Sequence, residues 1–194
     1  MSEFQKGKIS EIRGDHVERY KFAASRISGT VLDCGCGCGY GTWIMSEKSK
    51  FVLGVDKNPE ALDYALKNYQ GPKAYFHAGD ITTIRGEIGF DYFVAFEVIE
   101  HLRQPAAALK RFAKAAGKLI MSVPNEENRP YDKNKTPFHY RHFTPDEILL
   151  MLQSAGWNNL KFYHQKDYRV GQIEDGAGGV TLIIEAESDN KSIS

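Results

Sequence analysis

The stretch that decides the fold is Val31-Leu32-Asp33-Cys34-Gly35-Cys36-Gly37-Cys38-Gly39-Tyr40-Gly41. Its apolar beginning predicts a short buried strand, and residues 40–48 predict a helix directly after the glycines. Glycines at such a junction permit a positive φ and let a ligand approach the backbone closely. A helix that starts there presents free N–H groups and the positive end of its dipole to an anionic group. The stretch therefore predicts a ligand-binding loop between a strand and a helix.

The position of the next acidic residue indicates which ligand this loop binds. Asp56 ends the second predicted strand, where a carboxylate can accept hydrogen bonds from both hydroxyls of a ribose. A dinucleotide-binding loop needs glycine or alanine at the third position of G-x-G-x-x-G/A. That position holds Tyr40 when the pattern starts at Gly35, and Thr42 when it starts at Gly37. The sequence thus predicts an adenosine-containing ligand and argues against a nicotinamide dinucleotide.

Segments of strand and helix character alternate along the chain, which is typical of a parallel sheet with helical crossovers. The last two predicted strands have no helix between them and predict a C-terminal antiparallel hairpin. We therefore expect an α/β fold with a mostly parallel, seven-stranded sheet and helices on both faces. The predicted strands are 30–33, 51–56, 73–77, 90–96, 118–123, 159–164 and 180–185.

Polar residues at helix starts add detail to this prediction. Asp15-His16-Val17-Glu18 and Thr144-Pro145-Asp146-Glu147 read as capping boxes, and Asn58-Pro59 reads as a cap followed by a proline in the first turn. We expect residues 1–187 to form one domain and residues 188–194 to form a disordered tail.

The composition excludes several classes of protein. The 194 residues include 25 Lys and Arg against 25 Asp and Glu, so no net positive charge attracts nucleic acid over long range. No apolar run approaches the roughly 18 residues that a membrane helix needs. The first residues, Met1 to Lys6, lack the apolar core of a secretory signal. An odd number of closely spaced cysteines does not make a disulfide framework. The sequence predicts a cytoplasmic chain without a membrane segment.

The order Asp33-x-Gly35-x-Gly37-x-Gly39 resembles the S-adenosyl-L-methionine (AdoMet) loop of the class I methyltransferases. Gly54-Val55-Asp56, Gly79-Asp80-Ile81 and the Phe96-Glu97 strand end are similar to later motifs of that family. The resemblance spans roughly residues 19–157. It implies a Rossmann-like sheet and AdoMet as the cofactor.

The same resemblance implies a role for each matching residue. The three loop glycines would lie under the methionine part of AdoMet, and Asp33 would orient its ammonium group. Asp56 would hold the ribose, and Asp80 would accept from the adenine amino group. An Arg-Tyr pair before the first strand would cap the carboxylate end of the cofactor. The expected cofactor residues are Arg19, Tyr20, Asp33, Gly35, Gly37, Gly39, Asp56, Asp80, Ile81 and Phe96.

The end of the fourth predicted strand carries the candidates for the methyl-acceptor side. Glu97, Glu100 and His101 form an E-x-x-E-H pattern, similar to that of quinone-biosynthesis O-methyltransferases and small-RNA 3′-terminal 2′-O-methyltransferases. On a helical turn the three side chains share one face. Two carboxylates and an imidazole suit Mg²⁺ or Mn²⁺, and Zn²⁺ less well. The resemblance adds His139 as the fourth ligand, with His142 as the second choice.

These patterns predict an AdoMet-dependent methyltransferase that O-methylates a small hydroxylated metabolite. Glu100, His101 and His139 are the candidate catalytic residues. The same three side chains, together with Glu97, are the candidate metal ligands. A metal-free acid–base or packing role for the same side chains remains open. The alternative function is 2′-O-methylation of an RNA terminus, and a non-catalytic AdoMet-binding sensor or partner subunit is the alternative from another class.

Overall fold

The computed structural model describes residues 12–83, 89–168 and 171–189, and in them one eight-stranded sheet packs between helices. The strands are β1 (Thr30–Cys34), β2 (Phe51–Asp56), β3 (Ala74–Ala78), β4 (Phe90–Phe96), β5 (Ala116–Pro124), β6 (Trp157–Gln165), β7 (Ile173–Asp175) and β8 (Thr181–Ser188). The helices are α1 (Gly14–Ala24), α2 (Tyr40–Ser46), α3 (Pro59–Tyr69), α4 (Pro105–Ala115) and α5 (Pro145–Ser154). Single 3₁₀ turns cover Ile81–Thr83 and Ile99–His101.

The strand order β3-β2-β1-β4-β5-β8-β6-β7 places β1 near the centre of the sheet. The chain moves outward from β1 to β3 and then returns to the other side of β1, where β4 pairs with it in parallel. Open α/β sheets bind ligands outside the carboxyl ends of the strands at such a reversal. The topology therefore opens a cleft next to the glycine loop that follows β1.

Apolar side chains pack on both faces of the sheet. On one face Phe93 of β4 stacks on Phe112 of α4, with the ring centroids 4.6 Å apart. Trp157 is fully buried on this face and donates from Nε1 to the Leu109 carbonyl at 3.0 Å. On the other face α1 and α2 cover β1 and β4. This packing fixes the positions of the strand ends that border the cleft.

The predicted α/β fold, mostly parallel with antiparallel C-terminal strands, is confirmed. The sheet has eight strands in the described residues rather than the predicted seven, because β7 adds to the edge of β6. This strand has three residues, too few for the period-two pattern that identifies a strand. Ser188, which the sequence analysis placed in the tail, instead ends β8 and pairs with Trp157. Residues 190–194 lie outside the described residues. The first residues, Met1 to Lys6, which are predicted to lack a secretory signal, also lie outside them.

Two of the three predicted helix caps are confirmed. The Asn58 side chain accepts from the Glu60 and Ala61 N–H groups, and Thr144 and Glu147 form the reciprocal hydrogen bonds of a capping box. The capping box at Asp15 is wrong. Helix α1 starts at Gly14, and the Asp15 carboxylate accepts from the guanidinium group of Arg13 at 2.7 and 3.0 Å. Two charged hydrogen bonds from a guanidinium group are stronger than one from a backbone N–H, so the Asp15 side chain binds Arg13 and does not cap the helix.

None of the helices in the described ranges is long and apolar enough to cross a membrane.

Candidate active site

A cleft of about 540 Å³ lies at the carboxyl ends of the central strands. Its volume is in the range of small-molecule and cofactor sites. Its wall includes six residues predicted from the sequence, namely Gly35, Asp56, Asp80, Ile81, Glu97 and His101. Lys57, Phe138 and Tyr140 complete the rim with a cation and two aromatic rings. The cleft thus joins the predicted cofactor loop to one end of the predicted acceptor group.

The glycine loop has the backbone conformation that its sequence predicts. Gly35, Gly37 and Gly39 have φ angles of 72°, 51° and 87°, in the left-handed region that favours glycine. A Cβ at Gly35 would lie 2.7 Å from a methyl of Val98, and one at Gly39 would lie 2.6 Å from the Ala65 Cβ. A Cβ at Gly37 would meet nothing within 4 Å. Two of the glycines are therefore required by packing, whereas Gly37 leaves open space over the loop.

Asp56 fixes this loop to the end of β2. Its Oδ2 accepts from the Gly37 N–H at 2.8 Å, and its Oδ1 accepts from the Asn58 N–H at 2.9 Å. Each carboxylate oxygen can accept a second hydrogen bond, and Asp56 lines the cleft. The residue therefore connects the loop, the strand end and the cleft.

Asp33 lies beneath the loop rather than on the cleft wall. Its side chain is fully buried and accepts from the Thr42 hydroxyl at 2.6 Å and from the Tyr20 hydroxyl at 3.4 Å. Burial raises its pKa to about 7, because the carboxylate loses water and gains only these hydroxyl groups. Thr42 was missed by the sequence prediction. Its contact with Asp33 depends on how α2 folds back over β1, for which no sequence pattern exists.

The predicted adenine end of the site is open to solvent. Asp80 is exposed, and its Oδ1 accepts from the Thr82 N–H at 2.8 Å. Hydrogen bonds from Thr82 lower the pKa of the Asp80 carboxyl, so it is ionised at neutral pH. The neighbouring Ile81 is buried and lines the cleft, where its side chain offers an apolar surface to a flat ring.

The two residues predicted to cap the carboxylate, Arg19 and Tyr20, lie on α1 and are not among the residues of the cleft wall. Arg19 is 2% exposed and donates from Nη1 to Gln165 Oε1 at 2.6 Å. Its Nε is buried and has no hydrogen-bond partner among the described residues. Tyr20 packs edge-on against Phe96, with the ring centroids 5.0 Å apart. Phe96 is therefore a core residue that supports α1, and the structure does not place it on the cleft wall.

Three of the four predicted acceptor-side ligands meet in space. One ligand atom each from Glu100, His101 and His139 lies within 4.8 Å of the others. Glu100 is fully buried, and neither of its carboxylate oxygens has a hydrogen-bond partner in the described residues. Burial raises the pKa of Glu100 well above its usual range, and the charge of Glu97 adds to the effect. Burial lowers the pKa of His139 to about 4, so its imidazole is neutral at pH 7.

Glu97 does not join this cluster. Its Oε1 accepts from the Ser122 hydroxyl at 3.0 Å, and Arg129 Nη1 lies 3.8 Å from its Oε2. Glu97 has a backbone φ of 54°, which is unusual for residues other than glycine, asparagine and aspartate. The Ile99–His101 turn is 3₁₀ rather than α-helical, and Glu97 lies before it. The shared helical face predicted for Glu97, Glu100 and His101 is therefore wrong at Glu97.

A family model described as a methyltransferase domain matches residues 27–169. The match covers most of the sheet and most of the cleft wall. The chain belongs to this family of methyltransferases.

Two curated relatives and one solved structure are similar to this chain. The chain is 28% identical over 149 residues to a probable S-adenosylmethionine-dependent methyltransferase of Mycolicibacterium smegmatis, covering 73% of the chain and 57% of that relative. It is 26% identical over 173 residues to the ubiquinone biosynthesis O-methyltransferase of Idiomarina loihiensis, covering 79% and 70%. The chain spans about half the length of several of its curated relatives.

The fold is similar to that of a Thermotoga maritima S-adenosylmethionine-dependent methyltransferase, described as a possible histamine N-methyltransferase. The TM-score is 0.74 at 19% identity, and the match covers 91% of this chain and 90% of the other. The predicted membership of the class I AdoMet-dependent methyltransferases is confirmed.

Three independent features of the described residues are compatible with AdoMet. Gly37 leaves open space at a positive φ, Asp56 keeps free lone pairs at the strand end, and the buried Arg19 Nε lacks a partner among the described groups. These features match the backbone contact, the diol and the carboxylate of an amino-acid nucleoside.

Alanine substitutions at Gly37 and Gly39 should separate ligand approach from packing. Both residues have positive φ, which costs about 1–2 kcal/mol with a Cβ. At Gly39 the methyl group also collides with Ala65 and with the Phe76 ring, so we expect the free energy of unfolding to fall by about 2–5 kcal/mol in total. At Gly37 the loss should be limited to the backbone strain, with a roughly tenfold weaker AdoMet affinity. Thermal denaturation and calorimetric titration measure both effects, and a Gly37→Ala protein with wild-type affinity would contradict the predicted cofactor position.

Proposed function

We propose that this methyltransferase transfers a methyl group from AdoMet to a hydroxyl oxygen of a small metabolite, next to a divalent cation held by Glu100, His101 and His139. The observation that carries the proposal is the meeting of these three side chains within 4.8 Å. His101 also lines the cleft, so the cluster borders the space proposed for the cofactor. Similarity to a ubiquinone biosynthesis O-methyltransferase supports an oxygen acceptor.

On the cofactor side, the chain's work is binding and orientation. In this proposal Asp56 accepts from the ribose hydroxyls, Asp80 accepts from the adenine amino group, and Ile81 packs against the ring. Arg19 binds the carboxylate, and the buried Asp33 carboxyl compensates the ammonium group. AdoMet, when bound, supplies an activated methyl group on a sulfonium. Holding an acceptor in line with that group can lower the barrier by about 7–11 kcal/mol at best.

On the acceptor side, the donor set fits a divalent transition metal. Glu100 offers oxygens with no partner among the described residues, and a bound cation would offset the burial of its charge. Neutral imidazoles are the form of histidine that binds metals, and burial keeps His139 neutral. Two nitrogens with one carboxylate favour Mn²⁺ or Zn²⁺ over Mg²⁺, which prefers oxygen ligands. A bound cation would supply positive charge that lowers the pKa of an acceptor hydroxyl.

A metal-free mechanism uses the same side chains in another way. The neutral His139 imidazole can accept the proton of an acceptor hydroxyl as a general base. The low pKa of His139 favours this function less than metal binding, because an efficient general base has a pKa near the working pH. Chelation distinguishes the two mechanisms directly.

The proposal is tested by turnover with and without a metal. We expect purified protein to bind AdoMet in calorimetry and to form S-adenosylhomocysteine with catechols or related hydroxylated aromatics in the presence of Mn²⁺. Excess EDTA should lower the rate at least a hundredfold and leave AdoMet affinity unchanged. His101→Ala should reproduce the effect of EDTA. His77→Ala is the matched control, because His77 is an exposed histidine of β3 outside the cleft wall, and it should retain the wild-type rate.

Each remaining outcome favours a specific alternative. Undiminished turnover in EDTA would exclude the metal and favour the metal-free mechanism. Turnover only with an RNA terminus would favour 2′-O-methylation of RNA. AdoMet binding without formation of S-adenosylhomocysteine from either the hydroxylated aromatics or an RNA terminus would favour a non-catalytic sensor.

A further inference from the structure

A row of three imidazoles continues from the proposed metal cluster into the protein. The ring centroids of His101 and His139 are 4.5 Å apart, and those of His139 and His142 are 5.1 Å apart. His139 Nδ1 lies 2.9 Å from His142 Nε2, and His142 Nδ1 lies 2.6 Å from the Arg129 carbonyl oxygen. Both nitrogens of His142 are thus engaged, so it lies behind His139 and is not the second-choice ligand that the sequence analysis considered.

The hydrogen bonds fix which nitrogens carry protons. A carbonyl oxygen only accepts, so His142 Nδ1 carries a proton and donates to Arg129. The His142 side chain is 1% exposed, and no carboxylate in the described residues lies within hydrogen-bond distance of its ring. A charged ring would be buried there without a charged partner, so the ring is neutral and its Nε2 is an acceptor. The Glu126 carboxylate is 3.9 Å from Nδ1, beyond hydrogen-bond distance. His139 Nδ1 must then be the donor in the bond between the two rings.

We propose that His142 is a positioning residue that holds His139 in its Nδ1–H tautomer and leaves the lone pair of His139 Nε2 free for a cation or a proton. The metal part of this inference rests on the proposed function, whereas the tautomer does not. His101 is held in the same way, because its Nδ1 lies 3.0 Å from the Phe138 carbonyl oxygen. Outer partners of this kind orient metal-binding histidines in many proteins.

The segment of residues 125–143 makes this arrangement rigid. The Glu126 N–H donates to the Phe143 carbonyl at 2.9 Å, and the Tyr140 N–H donates to the Glu100 carbonyl at 2.9 Å. The Tyr131 hydroxyl donates to the His139 carbonyl at 2.9 Å, and the Tyr131 ring lies edge-on to His142 at 5.5 Å between centroids. The two carbonyls that hold His101 and His142 thus belong to one segment, which is fixed to the turn that bears Glu100.

Two substitutions of His142 test the inference. His142→Phe keeps a planar ring beside Tyr131 and removes the acceptor, whereas His142→Gln keeps an acceptor oxygen near the position of Nε2. Long-range ¹H–¹⁵N spectra of protein labelled at histidine should show the Nδ1–H tautomer of His139 in the wild type and in His142→Gln, and a mixture of tautomers in His142→Phe. Calorimetry with Mn²⁺ should show about a 10–100-fold weaker affinity in His142→Phe, with near-wild-type affinity in His142→Gln. AdoMet affinity should remain within twofold in both variants.

The two readouts separate this inference from the proposed function. A wild-type protein that shows the Nδ1–H tautomer, loses it in His142→Phe and binds no Mn²⁺ would support the positioning role and contradict the metal site. An Nδ1–H tautomer that persists in a folded His142→Phe protein would overturn the inference, as would wild-type Mn²⁺ affinity in that variant.

Discussion

Replacement of Asp56 by alanine is expected to weaken AdoMet binding at least a hundredfold. The carboxylate accepts from the Gly37 and Asn58 N–H groups, and we propose that its remaining lone pairs accept from the ribose diol. A hydrogen bond to a charged group contributes about 1.5–3 kcal/mol, so losing two of them from the ribose corresponds to roughly two to four orders of magnitude in affinity. Calorimetric titration with AdoMet and with S-adenosylhomocysteine measures the effect, since both ligands have the diol.

Two further variants make the interpretation of Asp56→Ala specific. Asp56→Asn keeps one acceptor oxygen for the Gly37 N–H and removes the charge, so its affinity should lie between those of the wild type and the alanine variant. Asp63→Ala is the matched control, because Asp63 is an exposed aspartate of α3 that does not line the cleft. Thermal denaturation reports the contribution of the Gly37 and Asn58 bonds to folding. A folded Asp56→Ala protein with wild-type AdoMet affinity would contradict the position of the ribose.

The fold was predictable because its signals are local. The apolar run of β4 predicts both bounds of the strand, Phe90 and Phe96, and the cap at Asn58 marks the start of α3. Alternating strands and helices permit few topologies once right-handed crossovers are required. Strand β7 was not predictable, because three residues carry no period and their pairing depends on the position of β6.

The site was predictable only where its residues follow strand ends. Asp56 ends β2 and Gly37 lies in the loop after β1, so their contact follows from the topology. The contacts of Arg129 with Glu97 and of His142 with His139 depend on how residues 125–143 fold over the sheet. The residue types of the acceptor side were indicated by the sequence. The helical face predicted to join Glu97 to Glu100 was wrong, because the 3₁₀ turn after Glu97 has no distinct sequence pattern.

Replacement of Glu100 by glutamine should lower methyl transfer by about two to four orders of magnitude and, in the absence of metal, stabilise the protein. The side chain is fully buried, and its oxygens have no partners among the described residues. An unsatisfied buried group destabilises the folded state by about 1–3 kcal/mol, and a charge by more. Burial raises the folded-state pKa of Glu100 above its usual range, so the folded protein retains a proton that the unfolded chain releases. Wild-type stability therefore falls as pH rises above the unfolded pKa, and Glu100→Gln removes this dependence.

Denaturation at two pH values and two metal conditions tests this prediction. In EDTA the melting temperature of Glu100→Gln should exceed that of the wild type, with a larger difference at pH 8 than at pH 5. A saturating metal stabilises only the form that binds it, by about 2.7 kcal/mol at a hundred times the dissociation constant, so Mn²⁺ should stabilise the wild type and not the variant. Glu127→Gln is the matched control, because Glu127 is an exposed glutamate of the same region, and it should change neither quantity. A Glu100→Gln protein that is less stable than the wild type in EDTA at pH 8 would show that the carboxylate is already compensated in the folded chain. Glu100 would then not be an uncompensated buried carboxylate. Only His101 and His139 would remain as candidates for the acceptor side.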